Sequence, residues 1–488
     1  MGSDSGPCAA GIHEEGGAVL TIVLVLLHLT GLVCAVIAVM QTRTPQGAIA
    51  WSVSLITFPY LAVPFYLVFG RTKFQGYLTA RERVAERVVA ASTSLGAALE
   101  PYVMRPGEHI PAHAALTRIA QQPFTERNAV SLLIDGDAAF ASIFAGIAEA
   151  RSHVLAQFYI VRDDGLGRRF RDALIAKARE GVPVHFLYDE LGSYGLPKAY
   201  CRALADAGVK VSAFNTTRGR GNRFQVNFRN HRKCVVVDGH VAWAGGHNLG
   251  DEYLGLDRKI GPWRDTYVRV EGPAALGVQF VFATDWLWAS GEVLDVRWEP
   301  RPAPDGNAAV LVCRSDPSDV FEEAAMMYLQ VLMMAERRLW IATPYFVPDL
   351  GMVSALQLAG LRGVDVRLLL PQHSDNRVAD LAARSYVEQM DRANVKMLLY
   401  QAGLLHQKCF VVDDLLAGVG TANFDNRSFR LNFELTLLVH DQAFVAATAA
   451  MLQDDFTRAT AVSAVAHRRT RWSRRLLVRL ARLTAPVQ

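Results

Sequence analysis

Two segments of the chain carry the same reactive side chains at the same offsets. HRKCVVVDGHVAWAGGHN supplies His231, Lys233, Asp238, Gly245 and Asn248, and HQKCFVVDDLLAGVGTAN supplies His406, Lys408, Asp413, Gly420 and Asn423. On a strand, residues i and i+2 share a face, so each histidine is expected to point with its lysine into one pocket while the apolar run behind them fills a core. The glycines suit a tight turn, after which the asparagine can supply an amide donor. Brought together, two imidazoles, two ammonium groups and two amides would bind a phosphodiester, because cations and donors neutralise the non-bridging oxygens as charge builds in the transition state. One imidazole could then attack phosphorus to form a phosphohistidine. The other would protonate the departing alkoxide and later deprotonate an incoming alcohol.

A single histidine on a strand is more often a packed or surface residue, and it is the duplication that reverses that reading. The candidate catalytic set is His231, Lys233, Asp238, His406, Lys408 and Asp413, with Asn248 and Asn423 on the substrate phosphate. Within it, Asp238 and Asp413 sit too far along to share the His/Lys pocket, and a local structural role is expected of them. Cys234 and Cys409 fall on the alternate face as packing groups. The six cysteines lie far apart with no C-x-x-C or Cys/His pattern, so neither zinc nor a disulfide framework is indicated. No metal is needed where lysines supply the charge.

The elements that must position these groups also come twice. LAQFYIV, FRDALIAKAREGV and VPVHFLYD read as strand, helix and strand, and LWIATPYFV, SALQLAGLRGV and DVRLLLP repeat them. AGVKV and ANVKM follow, then the H-x-K-C strands, and each copy closes with an apolar helix ending in Asp285-Trp286 or Asp455-Phe456. Strand–helix alternation predicts an α/β fold, and duplication predicts two domains related by a pseudo-twofold axis and sharing one active site at the seam. The boundaries expected are 121–297 for the first domain, the Pro-rich linker 298–308, and 309–460 for the second.

Ahead of them the chain is membrane-like. Residues 1–16 form a tail, and there is no Asp, Glu, Lys or Arg between Glu15 and Arg43, nor between Arg43 and Arg71. Residues 17–40 would rise about 36 Å as a helix, enough for a hydrocarbon core of about 30 Å. Residues 46–70 form a second apolar segment in which Pro59 and Pro64 predict a kink or a re-entrant turn. A cleaved signal peptide is the competing reading, but the basic n-region is missing and a second apolar segment follows, so a retained transmembrane hairpin is expected. Arg71, Lys73, Arg81, Arg83 and Arg87 in the linker 71–120 place the remainder in the cytoplasm by the positive-inside rule. At the other end, 461–488 holds a basic helix with Trp472, Leu476, Leu480 and Leu483 at helical spacing. It reads as lying on an anionic membrane surface, or else as docked on the protein. The net charge of +4 is too small to argue for nucleic acid, and no recognition module accompanies the arginines.

At these residues the chain resembles the phospholipase D superfamily and, within it, the bacterial cardiolipin synthases, over nearly its whole length. WRDTYVRVEGP, TPYFVPD and GTANFDNRSFRLNFE carry the resemblance beyond the H-x-K motifs, whereas RSDPSD at Arg314 departs from the Ser-Gly-Pro turn common in the family. The resemblance implies that carboxylates orient the site histidines, with Glu434 and Asp265 at the matching positions. It also implies that His231 is the nucleophile and His406 the acid/base, although the near-equivalent copies do not decide this. The implied reaction transfers a phosphatidyl group between two phosphatidylglycerol molecules, giving cardiolipin and glycerol, in a bacterial inner membrane, with no nucleotide and no cofactor. The alternatives are a hydrolytic phospholipase D, another phosphatidyltransferase such as a phosphatidylserine-type synthase, and an inactive membrane scaffold. The last is disfavoured because neither copy has lost its His or Lys.

Overall fold

The computed structural model describes residues 10–42, 44–70, 93–105, 111–214, 227–317, 321–465 and 470–485. It comprises a helical unit, Met1–Gly76 with Thr216–Asn227, and a larger body, Tyr77–Asn215 with Phe228–Gln488. Arg43 and the basic run from Arg71 to Arg87 that set the expected orientation lie outside the described residues.

In the helical unit one helix spans Ala10–Gln41, and its part Val19–Gln41 is the one described helix long and apolar enough to cross a membrane. The second apolar segment is not one helix. Thr44 caps a helix over Pro45–Thr57, the chain breaks at Phe58, and short helical turns follow over Pro59–Phe65 and Tyr66–Gly70. The break has a local cause: Pro59 has no N–H to donate and pushes the residue before it out of the α region, and Phe58 has φ −133° and ψ 57°. The two stretches pack closely at Gly31, where an added Cβ would lie 2.3 Å from the Leu55 carbonyl oxygen. Ala35, Ala38, Leu55, Ala62, Val63 and Tyr66 close the contact.

The body is built on a 16-stranded sheet whose two halves have the same strand order. From the seam outward the first half runs Thr125–Ile134, Thr266–Glu271, Val241–Gly245, Cys234–Val237, Val154–Phe158, Val184–Asp189 and Lys210–Phe214. The second runs Ala308–Ser315, Asn432–His440, Leu416–Gly420, Cys409–Val412, Arg338–Ala342, Asp365–Pro371 and Lys396–Tyr400, with Ala459–Ala461 at its edge. The seam is antiparallel, pairing Thr125 with Val310 and Asn128 with Ala308. Central strands such as Val154–Phe158 and Cys409–Val412 are buried at every position, as expected where helices cover both faces. Each half keeps its own hydrophobic core.

Segment 71–120 is more than a linker where it is described. Leu95 and Leu99 pack on Leu276 and Phe280, and Leu116 on the helix Pro111–Ala120 joins the core of the second half.

Candidate active site

The H-x-K segments do not lie inside the regular strands. Those strands begin at Cys234 and Cys409, and the histidine and lysine occupy the extended stretch just before. Preceding each is a short strand that pairs with the opposite half of the molecule. Arg229–Asn230 runs parallel to Asn432–Phe433, and Leu404–Leu405 parallel to Trp263–Arg264. Backbone hydrogen bonds fix the arrangement, with His231 N donating to Phe433 O at 3.0 Å and His406 N to Arg264 O at 2.8 Å.

This crossing exchanges the carboxylates. His231 Nδ1 lies 3.0 Å from both Glu434 oxygens, and His406 Nδ1 lies 2.7 Å from Asp265 Oδ2. Each imidazole is thus oriented by the other half of the repeat through Nδ1, and Nε2 of His406 lies 3.1 Å from Lys408 Nζ. Glu434 is itself held by Thr421 Oγ1 at 2.5 Å, Ser428 Oγ at 2.8 Å and Asn432 Nδ2 at 3.0 Å. Lys233 Nζ donates to His231 O and Lys408 Nζ to His406 O, both at 2.5 Å, and Lys408 Nζ also lies 2.8 Å from His406 Nδ1.

Burial decides the protonation of this cluster. Desolvation, reinforced by the lysines against the pull of the carboxylates, lowers both His231 and His406 to about 4, so both imidazoles are neutral near pH 7. Burial likewise pulls Lys408 down to about 8 and Lys233 well below its ordinary value. For Asp265 burial opposes charge, yet Lys408, His247 and His406 outweigh it and hold the carboxyl below the usual range. His231 and Lys233, with the hydrogen bonds to Glu434, do the same there.

Both histidines, Asn248 and Asn423 line one cavity of about 480 Å3, together with Tyr159, Arg229, Trp263, Asp375, Arg427 and Asn432. Asn248 is held on both sides, its Oδ1 accepting from Ile160 N at 3.0 Å and its Nδ2 donating to Tyr253 Oη at 3.1 Å. Asn423 Oδ1 is buried without a hydrogen-bond partner.

The aspartates that end the motifs are not among the residues lining this cavity. Asp238 accepts from the backbone N–H groups of Arg151, Ser152 and His153 at 2.6–3.2 Å, and Asp413 from those of Glu336, Arg337 and Arg338 at 2.7–3.0 Å. Both adopt a left-handed conformation, φ 56° and 51°, which a short polar side chain tolerates. Each fixes the turn leading into the strand beside its own motif.

Sequence reading missed the residues that hold the middle position of each motif. Arg232 is fully buried, donating to Asp285 Oδ1 at 2.5 Å, to Ser315 O at 3.0 Å, to Glu434 O at 3.0 Å and to Asp316. Its counterpart Gln407 donates to Asp455 Oδ2 at 3.2 Å, an acid shared with Arg264. The signal was present in the two apolar helices, where Asp285 and Asp455 stand at the same place before an aromatic residue. Asp316, which also pairs with Arg314 at 3.3 Å, belongs to the RSDPSD stretch that departs from the family turn.

The family model described as Cardiolipin synthase, PLD-like domain matches residues 143–261 and 328–458, covering both motif-bearing halves. The chain belongs to this cardiolipin synthase family of the phospholipase D superfamily. A second model, Phospholipase D-nuclease N-terminal, matches residues 30–71. Cardiolipin synthase A of Pseudomonas entomophila (strain L48) is 44% identical over 95% of this chain and 97% of the relative. Cardiolipin synthase A of Pseudomonas fluorescens (strain SBW25) is 44% identical over 97% and 99%. Among solved structures, the phosphatidylserine synthase of Haemophilus influenzae Rd KW20 superposes with a TM-score of 0.60 over 77% of this chain and 100% of that one, at 15% identity. That likeness concerns the fold, including the paired halves.

Proposed function

We propose that the protein is a phosphatidyltransferase that joins two phosphatidylglycerol molecules into cardiolipin and releases glycerol. The observation that carries this reading is the pair of imidazoles in one cavity, each with Nδ1 on a buried carboxylate, in a chain 44% identical to proteins named Cardiolipin synthase A. Nε2 of one imidazole attacks phosphorus of the first lipid and the bond to the glycerol oxygen breaks, while the other imidazole, protonated, gives its proton to that oxygen. A hydroxyl of a second lipid then loses its proton to the same imidazole and attacks phosphorus, breaking the P–N bond and restoring the first histidine. Lys233 and Lys408, with Asn248 and Asn423 beside them, stabilise the non-bridging oxygens. An entering phosphodiester brings negative charge against the two lysines, which lets the acid imidazole take up its proton.

Membrane attachment supports a lipid over a soluble diester. The helix Val19–Gln41 is long enough to span, and the broken second stretch packed on it would complete a re-entrant or crossing hairpin, with the catalytic body on the cytoplasmic side. The C-terminal helix Trp472–Arg482 docks on the body by one face and leaves another exposed. Val478 and Ala481 are buried, and Ala481 packs on Val347, Ala379 and Ala382, while Trp472, Leu476, Leu480 and Leu483 stay exposed amid arginines. Val347 and Ala379 also line the cavity, so this apolar and basic face would rest on anionic lipid close to the reacting groups.

The test is to supply the purified protein in detergent with phosphatidylglycerol alone. Cardiolipin with released glycerol, and no nucleotide-activated lipid, is the expected outcome. Phosphatidic acid as sole product would move the protein to the hydrolases.

A further inference from the structure

Around the cavity the reacting groups obey the pseudo-twofold relation, and several other lining residues break it, Arg229, Arg427 and Asn432 among them. Arg229 stands two residues before His231, where the second copy has Leu404 before His406. Arg427 stands four after Asn423, where the first copy has Glu252 after Asn248, and Asn432 stands two before Glu434, where the first copy has Trp263 before Asp265. These three lie near one another. Asn432 faces Arg229 across the short parallel pairing, and the Tyr159 ring, 5.0 Å from the His231 ring, feels the charge of both arginines.

Their chemistry is that of an anion site with a hydroxyl acceptor beside it. Arg229 and Arg427 line the same cavity, where burial and then the Arg229 charge weaken Arg427's hold on its proton while Asp425 opposes them. Asp189 stands beside Arg229 and Asp425 beside Arg427. Asp189 accepts from the N–H groups of Leu191, Gly192 and Asn230, and Asp425 caps Ser428 N at 2.7 Å. Burial also pushes both carboxyls up to about 6. Asn432 Nδ2 is committed to Glu434, which fixes the amide and leaves its buried Oδ1 without a donor.

We infer that Arg229, Arg427 and Asn432 form a second phosphoglycerol subsite, in which the guanidinium pair takes the non-reacting phosphate of one lipid and Asn432 Oδ1 accepts from its glycerol hydroxyl. The inference rests on the transferase reading and sharpens it. The symmetric residues serve the phosphorus that reacts, and the asymmetric ones recognise the acceptor by its own anionic phosphate. An uncharged alcohol makes no use of this subsite, whereas a second phosphatidylglycerol does.

The test is a competition in one vessel. Full-length protein in mixed micelles of phosphatidylglycerol receives labelled free glycerol, and two products are followed: cardiolipin from the anionic acceptor and labelled phosphatidylglycerol from the neutral one. In Arg427→Gln and Arg229→Gln the ratio of cardiolipin to exchange product should fall about tenfold or more, the loss of one charge-assisted contact, and Arg427→Lys should recover part of it. The ratio is independent of how much enzyme folds. If both products fall together and the ratio holds, the arginines serve the reacting phosphate and the subsite is overturned. If the unmodified protein yields phosphatidic acid alone, the transferase reading fails and the subsite with it.

Discussion

His231 of the first half takes its carboxylate from the second, with Nδ1 3.0 Å from both oxygens of Glu434, and His406 repays the exchange through Asp265 at 2.7 Å. Neither half therefore contains a complete histidine–carboxylate pair. Glu434→Gln and Asp265→Asn keep shape but lose the charge that fixes the tautomer and stabilises imidazolium, and each should lower kcat by about 10²- to 10⁴-fold with the fold intact. Steady-state kinetics beside a circular dichroism melt distinguish this from unfolding; wild-type kcat in either variant would contradict the exchange.

His231→Ala and His406→Ala should each abolish transfer, and the double variant should be no worse than either single one, because groups acting as one unit are non-additive. Two partial losses that multiply would indicate independent sites.

Asp238 and Asp413 should behave as structural residues. Each satisfies three successive backbone N–H groups at a left-handed turn, so Ala costs stability of about 1–3 kcal/mol, while the folded fraction keeps its turnover at low temperature. Denaturant melts paired with activity per folded molecule check this, and a large loss of turnover in a fully folded variant would return these residues to the catalytic set.

Arg232→Met removes the cation that Asp285 and Asp316 share. Leaving buried carboxylates uncompensated should cost about 3–5 kcal/mol, more than Gln407→Met at the equivalent place, where no charge is lost. Comparable melts for the two variants would argue against the charge network.

The pH profile follows from the shifts. The nucleophilic imidazole must be neutral, and its value of about 4 puts the acid limb of kcat/KM well below an ordinary histidine's. Lys408, beside Asp265, Glu434, Asp375 and Asp425, is charged below about 8 and loses that charge above it, which contributes an alkaline limb there. In Lys408→Arg, whose charge persists, that limb should move upward in whatever activity remains.

Much of this site could be read in the chain because its elements are local: the duplicated His, Lys and Asn at fixed offsets, and the strand–helix order around them. The carboxylate exchange was not legible. It depends on short strands, Arg229–Asn230 and Leu404–Leu405, crossing between halves, a tertiary pairing that two residues of pattern cannot encode. The expectation that His and Lys lie within the strand missed by a few residues for the same reason. Pro59 and Pro64 marked trouble in the second apolar segment, yet the position of the break at Phe58 needed the backbone itself. Asp285 and Asp455 were visible as helix endings, but their task appears only with Arg232 and Gln407 folded against them.

The central claim is that two histidines act in turn on one phosphorus. Two in-line displacements invert its configuration twice, so phosphatidylglycerol made chiral at phosphorus with sulfur should give cardiolipin of retained configuration. Net inversion would mean direct attack by the second lipid's hydroxyl, and would contradict the covalent histidine step.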